Sequence, residues 1–330
     1  MTSNECLLAL LRKSYPESNV TKLENQKSIA SLWAGMGSII RVSGSSGGSS
    51  SSSSRVTIIC KSISFPPGPR ERLSIGDSRK AASYEVEATF FDLFSAELNN
   101  NAGYNICPVG LYIDRSLKES GKLFICMTEL TGFNVSLSSR LESEAAIKAI
   151  AMLHSTYWGK KRSEDAVRRG LQAQGGYWYL DTRPDEFDDM SIHGWQGRLK
   201  NAAMAIDKRL KNDPLQAIIH GDLKGCNMAI KESGSISCIS FCDFQYVGKA
   251  SPMKDLAYFF TCGCGHKVND LEVSLLTCYH TELCRLLKDP SERPSLEQLT
   301  TSLQLAYADL VRFMVYYIYY IYYIYYIYYI

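Results

Sequence analysis

Three polar side chains with the chemistry of a metal-dependent reaction follow the short apolar run at 218–219. Asp222 and Asn227 lie in the segment His-Gly-Asp-Leu-Lys-Gly-Cys-Asn, and Asp243 lies after a second apolar run. Carboxylate and amide oxygens are the hard ligands that Mg²⁺ prefers, and a carboxylate can also act as a base toward a hydroxyl group. Together these residue types predict magnesium-dependent phosphoryl transfer.

A predicted β-hairpin brings these side chains to one place. The segments 228–230 and 236–241 are apolar and short, and the turn-rich sequence Lys-Glu-Ser-Gly-Ser separates them. Pairing the strands about Gly234 puts Asn227, which enters the first strand, beside Asp243, which follows the second. We therefore expect the polar groups to gather at one end of the hairpin.

The spacing H-x-D-x-K-x-x-N, followed by D-F, resembles the catalytic and metal-binding loops of protein-kinase-like phosphotransferases. Gly221 stands where protein kinases have Arg, and Gln245 stands where they have the Gly of D-F-G. This version is similar to the aminoglycoside phosphotransferase and choline kinase-like (CHK kinase-like) group. The resemblance covers about residues 30–313 and includes the stretches 31–38, 60–62, 83–87, 153–158 and 255–258.

The resemblance implies a role for each polar residue of the catalytic loop. Asp222 would accept or orient the proton of the acceptor hydroxyl group. Asn227 and Asp243 would hold Mg²⁺ against the phosphates of ATP. Lys224 would steady the transferred phosphoryl group, although a solvated lysine without a role is an equal alternative.

Two further residues would support this loop without touching the reacting atoms. His220 would pack and form hydrogen bonds within the loop, because Asp222 already supplies the base. Asp255 lies just inside a predicted helix and resembles the buried aspartate that braces the loop backbone in the family.

A second set of residues would bind the nucleotide. Lys61 ends an apolar strand, where its ammonium group can reach phosphates, and Glu87 on the following helix is its expected ion-pair partner. The turn containing Gly35, Gly37 and Ser38 would cover the phosphates, with a plain β-turn as the equal alternative. Backbone groups near the junction of the two lobes would face adenine, namely those of Met127, Thr128, Glu129 and Leu130.

The elements around these motifs predict two lobes of an α+β, bilobal protein-kinase-like fold. Residues 1–131 form a small, β-rich nucleotide-binding lobe, with strands near 39–42, 56–62, 109–113 and 123–127 and a helix over 80–98. Residues 132–315 form a larger helical lobe for catalysis and acceptor binding. Capping signals predict helices after Ser139, Ser251 and Ser295, and an apolar period predicts another from Trp195 to Leu210.

Two segments have compositions that no globular core requires. Residues 43–54 contain only Ser and Gly, which predicts a disordered surface loop, with a phosphorylated linker as an alternative. Residues 316–330 repeat Tyr-Tyr-Ile five times, and this period of three matches neither a helix face nor a strand face. Our preferred interpretation is a repeat expansion or gene-prediction error that replaces the natural end of the last helix, and a membrane tail anchor is the alternative.

Composition excludes several other classes of protein. The chain has 36 Lys and Arg against 34 Asp and Glu, so its formal charge of +2 does not favour nucleic acid or an anionic membrane as a partner. The 11 cysteines are odd in number and form no C-x-x-C pair, and the first apolar run is too short for a signal peptide. We therefore expect reduced thiols and a cytoplasmic location.

The spacing of the later motifs favours a small-molecule acceptor over a peptide. Only 11 residues separate Asp243 from Asp255 and no A-P-E follows, which leaves little room for a peptide platform. The long segment between 158 and 220 is rich in aromatic and acidic residues, and Trp178, Asp181 and Asp185 are its candidate acceptor contacts. A solvated acidic loop above an aromatic core is the alternative interpretation of this segment.

The predicted function is an ATP- and magnesium-dependent transfer of the γ-phosphoryl group to a hydroxyl group of a small molecule. A catalytically silent, nucleotide-binding pseudokinase scaffold is the first alternative, and a protein kinase is the second. Neither the acceptor nor the oligomeric state follows from the sequence.

Overall fold

In the computed structural model the described residues are 4–32, 35–46, 55–65, 74–115, 121–132, 139–182, 184–233, 236–264 and 270–329. Within these ranges, the side chains of 75, 232–237 and 316–329 are left aside. The chain divides into two compact units, which we call the N-terminal unit (Met1–Thr131) and the C-terminal unit (Gly132–Ile330).

Over its described residues, the N-terminal unit contains a five-stranded antiparallel sheet and three helices. Its elements are α1 (Asn4–Ser14), β1 (Val20–Ser31), β2 (Gly37–Ser46), β3 (Arg55–Ser64), α2 (Ile75–Leu93), α3 (Ser95–Ala102), β4 (Gly110–Asp114) and β5 (Lys122–Thr128). The strand order is β1-β2-β3-β5-β4, and every neighbouring pair is antiparallel. The four predicted strands are confirmed as β2 to β5.

Other elements of the N-terminal unit differ from the prediction. The predicted helix over 80–98 is two helices that meet at Phe94. Helix α1 and strand β1 were not predicted, and β1 lies at the sheet edge, where Val20 is buried but most of the strand is exposed. Helix α1 covers the sheet with Leu7 and Leu11, which pack in one apolar cluster with Val42.

Strand β2 also corrects the predicted disordered loop over 43–54. Residues 43–46 belong to β2, where Ser43 is in register with Asn25 of β1 and with Thr57 of β3. Backbone pairing on both sides can order a segment that has no apolar side chains of its own. Residues 47–54 of the predicted loop lie outside the described residues.

The C-terminal unit is mostly helical and carries two short β-ribbons. Its elements are α4 (Arg140–Thr156), α5 (Gly159–Arg168), α6 (Pro184–Asp188), α7 (Gly194–Lys211), β6 (Ala217–Ile219), β7 (Met228–Ser233), β8 (Ile236–Phe241), β9 (Gly248–Ala250), α8 (Met253–Tyr258), α9 (Glu272–Leu286) and α10 (Leu296–Tyr329). Strand β6 pairs with β9, and β7 pairs with β8. A π-helical turn, Phe259–Gly263, continues α8.

Capping side chains begin two of these helices as predicted. Ser139 and Glu142 form a reciprocal capping box at the start of α4. Ser295 and Gln298 do the same before α10, with hydrogen bonds of 2.8 and 3.1 Å. At α8 the predicted cap is one residue early, because Pro252, rather than Ser251, occupies the N-cap position.

Helix α10 continues through the Tyr-Tyr-Ile repeat to Tyr329. The period of the repeat therefore does not stop the helix, because extending an existing helix needs no new nucleus and no buried face. Among the described residues, no helix has both the length and the apolar character needed to span a membrane.

Candidate active site

The predicted catalytic loop connects β6 to the hairpin of β7 and β8. The hairpin register pairs Met228 with Phe241, which confirms the predicted pairing of the two strands, while Gly234 lies outside the described residues. The Cys242 N–H donates to the Asn227 carbonyl oxygen over 2.9 Å, so the pairing extends one step beyond the strands. The residue after Cys242 is Asp243, and the hairpin therefore brings it close to Asn227.

Asp222 is a buried carboxylate whose two oxygens have different surroundings. Its side chain is 2% exposed. Oδ2 accepts from Lys224 Nζ over 2.8 Å and from Asn227 Nδ2 over 3.0 Å. Oδ1 is buried and has no hydrogen-bond partner among the described residues. Burial raises the pKa of Asp222, and this effect outweighs the opposing charge of Lys224.

Lys224 is tied to this carboxylate rather than pointing freely into solvent. Its side chain is 39% exposed. Burial alone would lower the pKa of Lys224, but the charge of Asp222 and their hydrogen bond outweigh burial, and the pKa is raised. Lys224 therefore keeps a positive charge beside the carboxylate.

Asn227 and Asp243 are the two predicted metal ligands. Asn227 Nδ2 donates to the Asp222 carbonyl oxygen and to Oδ2, over 2.9 and 3.0 Å, which orients the amide so that its Oδ1 is the acceptor end. Asp243 has a φ of 67°, in the left-handed region. A non-glycine residue there costs about 1–3 kcal/mol, and such strain concentrates at functional sites.

The oxygens of this pair fit magnesium. Within the described ranges, no group of three or more His, Cys, Asp or Glu side chains could hold a metal ion. Mg²⁺ is typically bound by one or two carboxylates together with substrate phosphates and water, rather than by a complete cage of protein ligands. One carboxylate from Asp243 and one amide oxygen from Asn227 match that pattern.

The Asp255 carboxylate binds the backbone of the catalytic loop. Its side chain is 1% exposed. Oδ2 accepts the His220 N–H over 2.7 Å, and Oδ1 accepts the Gly221 N–H over 2.9 Å. These bonds fix the two peptide groups immediately before Asp222.

The ring of His220 adds hydrogen bonds within the loop. Nε2 lies 3.0 Å from the Cys242 carbonyl oxygen and must donate to it, while Nδ1 accepts the Asp222 N–H over 3.3 Å. The two contacts specify one neutral tautomer. The ring also packs against Phe244, with centroids 4.7 Å apart.

Gly221 explains why this loop departs from the protein-kinase pattern. Its φ is 84°, and a Cβ atom there would overlap the Tyr246 carbonyl oxygen and lie 2.7 Å from Gly176 N. Position 221 therefore has no space for a side chain.

Sequence reasoning missed a buried residue behind the loop. His154 Nε2 lies 3.2 Å from Asp255 Oδ2, and Nδ1 lies 2.8 Å from the Tyr279 hydroxyl. Burial raises the pKa of Tyr279 well above its usual value, so its hydroxyl stays protonated. The His154 ring donates through Nε2 to the Asp255 carboxylate. The sequence around His154, residues 153–158, resembles the family. Its contact with Asp255 joins residues 101 positions apart, so a single sequence does not reveal it.

The N-terminal unit contains the predicted Lys61–Glu87 pair. Lys61 Nζ lies 2.6 Å from Glu87 Oε1, and the two residues are 6% and 0% exposed. The turn from β1 into β2 is closed by a bond of 2.8 Å from the Leu32 N–H to the Gly37 carbonyl oxygen. Gly37 has a φ of 138°, and a Cβ there would overlap the Ser62 carbonyl oxygen.

The remaining positions of that turn have fewer constraints. Gly35 has a φ of 69° and open space around its α-carbon, and Ser38 pairs with Ser31 and Ser62 in the sheet. Trp33 and Ala34, which belong to the same family-like stretch, lie outside the described residues.

The first two residues of the segment predicted to face adenine, Met127 and Thr128, belong to strand β5 of the sheet. Met127 is in register with Ile59 on one side and Gly110 on the other. The Thr128 N–H donates to the Val109 carbonyl oxygen over 3.0 Å.

The last two residues of the segment follow β5. Glu129 forms two bonds to Arg41, of 2.8 and 2.9 Å, and Leu130 is half-buried. The Glu129 side chain therefore serves an ion pair within the N-terminal unit.

Trp178, a predicted acceptor contact, is buried in the C-terminal unit. Its side chain is 1% exposed, Lys254 Nζ lies 3.9 Å from the ring centroid, and its carbonyl oxygen accepts from Arg312 over 3.0 Å. The ring is enclosed by protein and is a packing residue. The sequence pattern of aromatic residues did not distinguish a ring that faces a ligand from one that fills the core.

Asp181 and Asp185 lie on the surface of the C-terminal unit. Lys211 Nζ bonds to Asp181 over 2.8 Å, at the end of α7. Asp185 is exposed in the first turn of α6. These positions match the alternative interpretation, a solvated acidic segment above an aromatic core.

Comparisons with known proteins agree with this fold. The family model described as the ecdysteroid kinase-like family matches residues 180–291. No curated protein sequence is significantly similar to the chain. An ethanolamine kinase from Plasmodium vivax has a similar structure, with a TM-score of 0.51 and 15% identity over 88% of this chain and 74% of that chain.

Two further solved structures are more distant. An aminoglycoside phosphotransferase from Streptomyces rimosus has a TM-score of 0.43 and 14% identity over 94% of this chain and 99% of that chain. The macrolide 2′-phosphotransferase MphH from Brachybacterium faecium has a TM-score of 0.49 and 13% identity over 91% of each chain.

The family match contains the whole catalytic loop, from His220 to Asn227, together with Asp243 and Asp255. The predicted α+β protein-kinase-like fold is confirmed by the ethanolamine kinase structure. The resemblance to choline kinase-like phosphotransferases that the sequence predicted is thereby confirmed, with the ecdysteroid kinase-like family as the match over residues 180–291.

Proposed function

We propose that the chain is a small-molecule kinase that transfers the γ-phosphoryl group of ATP, with magnesium, to a hydroxyl group. The observation that carries this proposal is the asymmetry of the Asp222 carboxylate. Oδ2 is held by Lys224 and Asn227, while Oδ1 is buried without a partner among the described residues. Buried oxygens of structural aspartates are normally satisfied, whereas a base needs one oxygen for the acceptor.

Asp222 would act on the acceptor through Oδ1. This oxygen accepts a hydrogen bond from the acceptor hydroxyl and takes its proton as the hydroxyl oxygen bonds to the γ-phosphorus. The bond from the γ-phosphorus to its bridging oxygen breaks at the same time, and ADP leaves. Because Oδ2 stays bonded to Lys224 and Asn227, the carboxylate does not need to reorient during transfer.

Lys224 has the position and charge to assist the transferred group. Its ammonium lies 2.8 Å from Asp222 Oδ2, so it is a fixed positive charge beside the base. A cation placed where negative charge moves during phosphoryl transfer lowers the barrier electrostatically.

Each unit has its own residues that fit a part of a magnesium–nucleotide complex. Asn227 Oδ1 and the Asp243 carboxylate are the residues that would hold Mg²⁺, which neutralises phosphate charge when it is bound. In the N-terminal unit, Lys61 would bind phosphates while Glu87, 2.6 Å away, keeps its ammonium in place. The Gly37 turn would cover the phosphates through its backbone.

The names of similar proteins give the first acceptors to test. The matched family is called ecdysteroid kinase-like, and the similar solved structure is an ethanolamine kinase. A hydroxylated steroid of the ecdysteroid type and ethanolamine are therefore the leading acceptors, with an alcohol as the shared reacting group.

The test is phosphate transfer by the purified full chain. The chain is incubated with labelled ATP, Mg²⁺ and an ecdysteroid, ethanolamine, choline or streptomycin, and each product is analysed for the mass gain of one phosphate. We expect transfer to at least one of these alcohols, and loss of transfer in Asp222→Asn. The matched control is Asp165→Asn, because Asp165 is an exposed aspartate on α5.

Each competing function has its own outcome. Nucleotide binding without turnover, on any acceptor, would identify the pseudokinase scaffold. Efficient labelling of proteins, with no labelled small molecule, would identify a protein kinase. Equal activity in Asp222→Asn and the wild-type chain would remove Asp222 from the mechanism.

A further inference from the structure

Two segments of the C-terminal unit pack directly against the catalytic loop beside Asp222. The first segment contains Gly176, whose N–H donates to the Tyr246 carbonyl oxygen over 2.9 Å. A Cβ on Gly221 would lie 2.7 Å from Gly176 N and 2.8 Å from Gly176 Cα, so the two backbones touch. Tyr177 is the residue after Gly176, so its backbone lies close to the loop.

The second segment is the end of α8 with its π-helical turn. Asp255 in α8 bonds the loop backbone, and Tyr258 follows one turn later. At the end of the π-helical turn, a Cβ on Gly263 would lie 3.0 Å from the Leu223 carbonyl oxygen. The turn thus packs on the residue after Asp222, and π-helical turns are frequent at functional sites.

The two segments meet through their tyrosines. The hydroxyl oxygens of Tyr177 and Tyr258 are 2.7 Å apart, and the rings contact edge to face with centroids 6.0 Å apart. Tyr177 is half-buried, and Tyr258 is 5% exposed. Burial raises the pKa of Tyr258, and its hydrogen bond with Tyr177 and the nearby charge of Asp222 raise it further. The Tyr258 hydroxyl therefore remains protonated.

A buried ionic cluster contacts Trp178, the residue next to Tyr177. Lys254 Nζ and Arg312 Nη2 each lie 2.8 Å from an oxygen of Asp309, and the three residues are at most 3% exposed. Lys254 also covers the Trp178 ring, and Arg312 bonds the Trp178 carbonyl oxygen.

Aromatic packing extends this support to the tyrosines. The ring of Tyr177 packs edge to face on Phe313 of α10, with centroids 5.5 Å apart. Trp178 stacks on Tyr258, with centroids 6.3 Å apart. Tyr177 and Tyr258 therefore pack against side chains that do not need to touch a ligand.

We propose that Tyr177 and Tyr258 form a wall of the acceptor site and determine which alcohol is phosphorylated. This inference rests on the proposed function. A phenol oxygen can accept more than one hydrogen bond. The hydroxyl oxygens of this pair accept from a second polar group of the acceptor while Asp222 Oδ1 holds the reacting hydroxyl. The ring of Tyr177 packs against an apolar face of the same molecule.

The proposal fits an acceptor that carries a hydrogen-bonding group next to its reacting hydroxyl. It also assigns the acceptor contact to Tyr177 in place of the adjacent Trp178. Tyr177 presents the half-buried ring, whereas Trp178 is the enclosed ring that supports it.

The test removes each hydroxyl separately and measures both substrates. Tyr177→Phe and Tyr258→Phe are compared with the wild-type chain, using whichever of the ecdysteroid, ethanolamine, choline and streptomycin probes is turned over fastest. We expect the acceptor KM to rise about three- to tenfold in each variant, the usual effect of losing one hydrogen bond. We expect the KM for ATP to remain unchanged, because neither hydroxyl would contact the nucleotide.

A double variant and a control separate this role from a structural one. Because the two hydroxyls bond to each other, Tyr177→Phe combined with Tyr258→Phe should cost less than the product of the single effects. Tyr307→Phe is the matched control, since Tyr307 bonds Glu272 elsewhere in the C-terminal unit. We expect it to leave both KM values unchanged. Where Tyr258→Phe fails to fold, the half-buried Tyr177→Phe decides.

The outcomes distinguish this inference from the proposed function. A wild-type chain that phosphorylates a probe, with an unchanged acceptor KM in Tyr177→Phe and Tyr258→Phe, overturns the wall and leaves the kinase function standing. Equal increases in both KM values, with a lower melting temperature, show a structural role and also overturn it. Transfer to none of the probes by the wild-type chain contradicts the proposed function, and the wall with it.

Discussion

His154 donates a hydrogen bond of 3.2 Å to Asp255 Oδ2, the oxygen that also accepts the backbone N–H of His220. One carboxylate thus joins α4 to the catalytic loop. His154 is fully buried, and the Tyr279 hydroxyl on α9 bonds its other ring nitrogen over 2.8 Å. The position of Asp222 therefore depends on side chains from helices that are far apart in the sequence.

We expect His154→Leu to lower both stability and kcat. The substitution leaves the Tyr279 hydroxyl buried without its hydrogen-bond partner His154 and removes one donor from Asp255, which costs about 1–3 kcal/mol of unfolding free energy. His154→Gln is the matched variant, because its amide nitrogen can still donate to Asp255. Denaturant titration and steady-state kinetics check the pair, and a kcat equally low in both variants would contradict the role of the Asp255 bond.

Asp222→Asn should abolish transfer while leaving ATP binding nearly intact. The carboxylate acts on the acceptor and not on the nucleotide, and loss of a general base costs about 10² to 10⁴ in rate. Single-turnover kinetics measure the loss, and calorimetric titration with ATP measures the binding. A matching loss of ATP affinity would show that Asp222 acts on the nucleotide.

The pH profile should report the raised pKa of Asp222. Its base form is the ionised carboxylate, and burial raises the pKa above the usual 3.8. Activity should therefore fall as the pH decreases through the raised pKa, at a higher pH than an exposed aspartate would give. An acid limb of kcat/KM centred at or below 3.8 would contradict this assignment.

Two substitutions of Asp243 should separate its backbone strain from its ligand role. Asp243→Gly and Asp243→Ala both remove the carboxylate, so both should weaken magnesium-dependent ATP binding in a calorimetric titration. Only glycine relieves the φ of 67°, so Asp243→Gly should be more stable than Asp243→Ala by about 1 kcal/mol. Unchanged ATP affinity in magnesium, for either variant, would remove Asp243 from the metal site.

Asp309 should make a large contribution to stability. Burial would raise its pKa, but the charges of Lys254 and Arg312 outweigh burial and lower it. A lowered pKa in the folded state stabilises the fold above the usual value of 3.8, and this contribution is lost as the pH falls through the lower, folded-state value. Asp309→Asn leaves two buried cations uncompensated and should cost about 3–5 kcal/mol at neutral pH.

Denaturant titrations of Asp309→Asn between neutral pH and pH values below 3.8 check this prediction. The cost should shrink as Asp309 of the wild-type chain becomes protonated. Exposed Asp289→Asn is the control, since the Asp289 carboxylate bonds the neighbouring Ser291, and it should change stability far less. Equal costs at both sites would show that the buried cluster contributes little.

How much of the site the sequence predicts depends on whether the partners are local. The hairpin of β7 and β8 follows from turn residues between two apolar runs, so the proximity of Asn227 and Asp243 could be inferred. Strand β1 could not, because it is an exposed edge strand whose partners, not its own composition, hold it in the sheet.

The predicted acceptor contact Trp178 depends on partners that are distant in the sequence. Trp178 and Tyr177 are adjacent aromatic residues, and composition gives no means of telling which one is enclosed. The answer comes from Lys254 and Arg312, which are distant in the sequence and bind the tryptophan from behind. Burial at one residue depends on side chains from other helices, which a single sequence does not reveal.

The crowding at Gly221 restricts which substitutions the loop can accept. A mutation there to any larger residue places a side chain against the backbones of Tyr246 and Gly176, and the unfavourable φ of 84° adds to the cost. The arginine that protein kinases carry at this position is therefore not accessible by a single substitution. Acquiring it would require the 176 and 246 segments to move first, because their backbones occupy the space that a side chain at position 221 needs. Lineages that begin from this loop are thus committed to the glycine form.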